Sequence, residues 1–146
     1  KATSPEPGKV DVRVLLVGGA LPEKEMLDTV AGILSADNVR PLTDYVTVQA
    51  PETVEYDIDV TYYTQEGGAL SDEVISENVA AAVQKFKTWQ AERMGRDGNP
   101  SYLIQLLMEA GVKRVEVRSP AFTTVADNAV AQIGETSIVN GGAESE

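Results

Sequence analysis

Cysteine is absent from all 146 residues, so the chain has no disulfide framework and no thiolate chemistry. Histidine is absent as well. That removes the imidazole base, the Ser-His-Asp triad and ordinary zinc or copper ligation. Aromatic residues make up only 5%. A sheet that reads RNA stacks bases on exposed aromatics flanked by basic side chains. Here Tyr45, Tyr56, Tyr62, Tyr63, Tyr102, Phe86 and Trp89 are thinly spread, and only Tyr63 falls on a wet strand face, beside three acids. Cations are short too: 12 Lys and Arg stand against 23 Asp and Glu, a net charge of −11. Phosphate backbones and anionic membranes are bound through Lys and Arg, so neither nucleic acid nor membrane is expected as a partner. No run of about 18 apolar residues is present to span a bilayer as a helix.

What remains is a chain of the commonest single-domain size. It can bury roughly 68–70% of its unfolded surface without help from metal or disulfide. Ser4, Pro5, Pro7 and Gly8 make residues 1–9 read as a linker. Residue 1 is Lys rather than Met, which fits a domain taken from a longer protein. Residues 10–118 are expected to form the folded domain. Residues 119–146 are expected to be an extension whose Gly-rich, acidic end is partly disordered.

Periodicity predicts the elements. Val10, Val12, Val14 and Leu16 alternate with their neighbours, as a strand does, until Gly18-Gly19. Pro22 suits a first helical position, and Met26, Val30, Ile33 and Leu34 share one helix face. This helix should reach about Ala36. Pro41 keeps Arg40 extended. Tyr45 to Ala50 reads as a second strand, and Val54 to Tyr63 as a third with one packed and one wet face. Ser71 caps a helix carrying the stripe Ile75, Val79, Ala82, Phe86 and Trp89, running to about Arg93. Asn99-Pro100 starts a third helix with Leu103, Leu106, Leu107 and Ala110 inward and Gly111 at its end. Lys113 to Arg118 is a fourth strand. The order β-α-β-β-α-α-β predicts an α+β, ferredoxin-like sandwich, with helices on one face of a four-stranded antiparallel sheet. An irregular C-terminal tail follows, with room for one more strand over Ser137–Val139.

Few residue groups point to chemistry. Glu55, Asp57 and Asp59 share one strand face, as hard-cation ligands do. They equally describe the solvated face of a half-buried sheet, and no calcium-loop spacing accompanies them. The Gly18-Gly19 and Gly67-Gly68 loops precede helices without phosphate-loop spacing, so turn chemistry explains them. Lys85, Lys87, Arg93 and Arg96 complement a helix C-terminus, or form a local patch for an acidic partner. Arg40 and Asp44 bracket Pro41-Leu42-Thr43 and can staple that loop. No catalytic residue, cofactor site or metal site is assigned from these residues. A small-ligand-binding regulatory module on the ferredoxin-like fold remains the alternative to an assembly protein.

The stretch Leu34-Ser35-Ala36-Asp37-Asn38-Val39-Arg40-Pro41-Leu42-Thr43-Asp44-Tyr45-Val46-Thr47-Val48-Gln49-Ala50-Pro51-Glu52 closely resembles the hallmark of the baseplate J-like proteins. The likeness continues through Val54 to Val60, through Arg93-Met94-Gly95-Arg96-Asp97, and through Gly111 to Val117 with Ser119-Pro120. The resemblance implies a structural component of a contractile phage or prophage tail baseplate, and not an enzyme. It implies the C-terminal portion of such a protein, contacts with other baseplate wedge and hub proteins, and self-association in the particle. It places the protein in the virion tail baseplate, assembled in the bacterial host cytoplasm. Arg40, Pro41, Leu42, Thr43, Asp44, Arg96 and Asp97 are the interface candidates that the resemblance and the loop chemistry single out. No cofactor is implied.

Overall fold

The computed structural model describes residues 1–3, 9–34 and 45–145. Within them lie six strands and three helices: β1 (Ala2–Thr3), β2 (Lys9–Arg13), α1 (Lys24–Leu34), β3 (Tyr45–Gln49), β4 (Glu52–Gln65), α2 (Asp72–Ala91), α3 (Pro100–Glu109), β5 (Arg114–Ser119) and β6 (Ala129–Glu144). They form a mixed α+β fold with two three-stranded sheets, ordered β1-β2-β3 and β5-β4-β6.

The first sheet is a β-α-β unit with a short added strand. β2 and β3 run parallel, with Val10 opposite Val46 and Val12 opposite Val48. Parallel neighbours need a crossover, and α1 supplies it. α1 packs on β3. Its more covered face is Leu27, Val30, Ala31 and Leu34, while Met26 and Ile33 are 42% and 59% exposed. The expected stripe is therefore turned by part of a helical step, because i, i+3, i+4, i+7 from Leu27 gives the better apolar face toward β3. β2 ends at Arg13, well before Val17, and the Gly19 N–H closes a turn onto the Leu16 carbonyl at 3.0 Å. Gly19 has φ +86°, and a Cβ there would lie 2.6 Å from Ala91. Only glycine lets this turn approach the end of α2 so closely.

The second sheet carries the core. β4 is central, antiparallel to β5 and parallel to β6. Ile58, Val60 and Tyr62 point to one face, against Ile75, Val79, Val83 and Phe86 of α2 and Leu103, Leu106 and Leu107 of α3. Phe86 is fully buried, its ring 6.0 Å from Tyr56, 5.9 Å from Trp89 and 6.4 Å from Tyr102. Among the described residues, every buried core hydrophobe lies at Ile58 or beyond. The helix ends follow the expected caps. Ser71 Oγ accepts from the Val74 N–H at 3.3 Å, and Asn99 Oδ1 accepts from the Ser101 N–H at 3.0 Å, with Pro100 in the first turn.

Two helices on one face of a sheet is as predicted, but the four-stranded antiparallel sheet is not what forms. The second and third strands would have to fold into a hairpin, and only Ala50 and Pro51 separate β3 from β4. A type I′ turn needs positive φ at both central residues, which Pro51 cannot adopt, and a type II′ turn needs it at the first, where Ala50 would be strained and no described non-glycine residue has it. The chain instead passes from one sheet to the other at this point. The tail also differs: residues 129–144 make one 16-residue strand. β6 borders β4 from Glu52 opposite Ala129 to Gln65 opposite Glu144. Since β5 runs antiparallel to β4, the return after β5 brings β6 parallel to β4 on its other side.

Candidate assembly surface

Three of the expected features can be located on the folded chain. Arg40, Pro41, Leu42, Thr43 and Asp44, and with them the Arg40–Asp44 staple, lie outside the described residues. Arg96 and Asp97 sit in the loop between α2 and α3, and their partners are within the chain. Arg96 donates from Nη1 to the Trp89 carbonyl, lies 3.3 Å from Glu92 Oε1, and stacks 4.4 Å above the Trp89 ring. This guanidinium caps the open carbonyl end of α2, where cations are favoured. Asp97 Oδ1 accepts the Val125 N–H at 2.9 Å. Gln90, buried at the end of α2, donates from Nε2 to the carbonyls of Arg96 at 2.9 Å and Asp97 at 3.2 Å. Backbone bonds complete the seam: Gly98 exchanges both N–H···O bonds with Thr123, and the Gly95 N–H reaches the Ala129 carbonyl at 2.9 Å. The Gly-Arg-Asp loop thus fastens α2 to the segment that feeds β6. No periodicity marks that segment, and Gln90 in particular carries no sequence signal that distinguishes it from a surface glutamine.

The outer face of β4 bears Asp57, Asp59, Thr61 and Tyr63. Arg118 on β5 grips Asp59 through both carboxylate oxygens, at 2.7 and 3.1 Å, and reaches Thr61 Oγ1 at 2.9 Å. The hydrogen bonds from Arg118 hold the Asp59 carboxyl below its ordinary pKa, and Asp59 raises that of Arg118 in return. Asp57 Oδ1 accepts the Glu135 N–H at 2.8 Å, at a bulge in β6. The carboxylates are used as strand-to-strand ties, and no group of three or more acids is placed to hold a metal among the described residues. Farther along, Arg114 lies 3.8 Å over the Tyr63 ring and bonds Glu144 at 2.8 Å and Glu116 at 2.9 Å. Those two hydrogen bonds raise its pKa. This arrangement clamps β5 to β6 across β4. Gly141 makes room for it, since a Cβ there would lie 2.4 Å from the Tyr63 ring.

Three of the four cations of the expected basic patch have different surroundings. Lys85 lines a groove between α2 and α3 with Trp89 and Tyr102, whereas Arg93 lines a cleft shared with Arg13 and Leu15. Arg96 is committed to Trp89 and Glu92. The larger of these clefts has a volume of about 490 Å³ and opens broadly to solvent. The described residues therefore present a polar, internally tied sheet face, strand edges and shallow grooves.

Residues 1–50 match the family described as the Baseplate J-like central domain. Baseplate protein J of Escherichia phage P2 is 34% identical over 147 aligned residues, which take in 97% of this chain. The chain is thus similar to baseplate J-like proteins along nearly all of its length. The family match covers the first sheet and α1, up to the Ala50-Pro51 passage between sheets. The likeness to the phage P2 protein runs on through the second sheet, so this chain and its relative share more than that matched region. The chain spans about half the length of this curated relative, 47% of it. No helix among the described residues is long and apolar enough to cross a membrane.

Proposed function

We propose that this chain is a structural part of a contractile phage or prophage tail baseplate and works through protein–protein contacts, with no reaction of its own. The observation that carries this is the 34% identity to a phage baseplate protein across 97% of the chain. The geometry supports it in kind: Asp57 and Asp59 of the sheet face are spent on ties between strands, and the sheets end in strand edges that other proteins can meet. Its partners are the wedge and hub proteins of the baseplate and further copies of itself, and its place is the virion tail, after assembly in the host cytoplasm. Arg40, Pro41, Leu42, Thr43 and Asp44 remain the proposed contact segment. Arg96 and Asp97 hold the loop between α2 and α3, which we propose as a second contact segment.

The test is removal of the chain from the phage or prophage that encodes it, followed by electron microscopy of the particles. We expect tails without finished baseplates, restored by supplying the chain in trans. Complete, infectious particles lacking the chain would sink the proposal.

A further inference from the structure

The outer edge of β6 is the largest strand edge the described fold leaves open. β6 meets β4 on one side, and no described strand lies on the other. Proteins blunt such edges with Lys, Pro or bulges. β6 has neither Lys, Arg nor Pro in its 16 residues. It has bulges at two places only, where its register against β4 slips near Gly134-Glu135 and near Gly141-Gly142. Between them Thr136, Ser137, Ile138, Val139 and Asn140 run in regular register opposite Ile58 to Tyr62. This five-residue window is uncharged and rich in β-formers. Val139, on the outer face, is 47% exposed.

We propose that a second copy of this chain pairs its own β6 with this window, antiparallel, about a two-fold axis at Ile138. Strand pairing must set residues of like facing opposite one another, or every side chain changes sides. A two-fold axis normal to the sheet at Ile138 meets that condition. It sets Ile138 against Ile138 of the second copy, Thr136 against Asn140, and Ser137 against Val139. Only this centring pairs all five window residues with one another and stays clear of both bulges. Glu135 then faces glycine at 141, so no two carboxylates oppose. A cationic foreign strand is a poorer occupant: the window offers it no charge, and Glu144 is already held by Arg114. The product is a six-stranded sheet, β5-β4-β6 continued by the second copy's β6-β4-β5, with both helical layers on one side. The contact deepens the assembly proposal above and rests on it.

Sedimentation velocity of the whole chain, from about 10 μM to 1 mM, reads the pairing directly. We expect a monomer–dimer equilibrium that Val139→Lys weakens at least about tenfold, since an edge lysine opposes strand addition. Val139 is an outer-face residue, so this variant keeps the core. Because the chain has no cysteine, Ile138→Cys adds a single thiol. Under oxidised glutathione it should link into dimers at least about tenfold faster than Ser101→Cys, a control on exposed α3. A wild-type monomer throughout, equal linking of the two cysteine variants, or an unmoved Val139→Lys equilibrium would each overturn the strand pairing. Capture of wild-type chain by other baseplate components is read in parallel. Capture without pairing defeats the β6 contact alone, whereas neither capture nor pairing defeats the assembly proposal as well.

Discussion

Asp97 offers the sharpest quantitative test of how the loop between α2 and α3 is held. Its Oδ1 accepts the Val125 N–H at 2.9 Å, and Val125 is 4% exposed. Asp97→Ala removes the acceptor and leaves that N–H buried without a partner. An orphaned buried donor costs about 1–3 kcal/mol, and a hydrogen bond to a charged group contributes about 1.5–3 kcal/mol net. These are two views of one loss and do not add. Asp97 is itself partly exposed, so water can enter and offset part of the cost. The expected destabilisation is therefore about 1–2 kcal/mol. Asp97→Asn keeps a carbonyl oxygen in the same place and should cost less than about 1 kcal/mol. Urea denaturation of the three proteins gives the comparison, and for a chain of this size each kcal/mol also moves Tm by about 2–4 °C. Hydrogen exchange localises the effect, with protection of the Val125 amide falling in the alanine variant and persisting in the asparagine one. An alanine variant within about 0.5 kcal/mol of wild type, or an asparagine variant equally damaged, would refute the assigned role.

Other consequences follow from the core and from the charges. Phe86→Ala empties the centre of the Tyr56, Trp89 and Tyr102 cluster and should cost about 3–5 kcal/mol in the same denaturation assay. Burial raises the Tyr56 hydroxyl to about 12. Its folded pKa lies above the unfolded value, so its contribution to stability is complete below about pH 10 and is lost as pH climbs toward 12. Phenolate absorbance should therefore show a late-ionising component that Tyr56→Phe removes. The Asp59 carboxyl is shifted the other way by Arg118. Its contribution is present above the unfolded pKa of about 4 and disappears as pH falls through the lower folded value. Asp59→Asn should thus lower stability slightly at neutral pH, less in high salt, and progressively less as pH falls below about 4.

Much of the second sheet and its helices was legible along the chain. Ser71 and Asn99-Pro100 announce helix starts because capping is a local transaction between a side chain and amides two or three residues on. The alternation from Val54 to Tyr63 is equally local, and the observed strand extends it by two residues at each end. The basic and acidic groups were legible as types but not as partners. Asp59 with Arg118, and Arg114 with Glu144, are separated by 59 and 30 residues. Arg96 and Asp97 stood out in sequence, but Val125 and Gln90, which define what they do, did not.

By itself, then, the order of residues determined the kinds of element, the caps, the wet face of β4, and a chemistry without thiol or imidazole. Each of these depends on neighbours within a turn of helix or a few residues of strand. Only the tertiary structure decided that two sheets form instead of one, that β6 is a 16-residue strand, and that its outer edge is open among the described strands. Residues 129–133 are mostly apolar but unpatterned, and 134–144 are mostly polar, so no period of two appears. What makes β6 a strand is the row of N–H and C=O groups that β4 presents along its length, a partner 77 residues earlier in the chain where Glu52 meets Ala129.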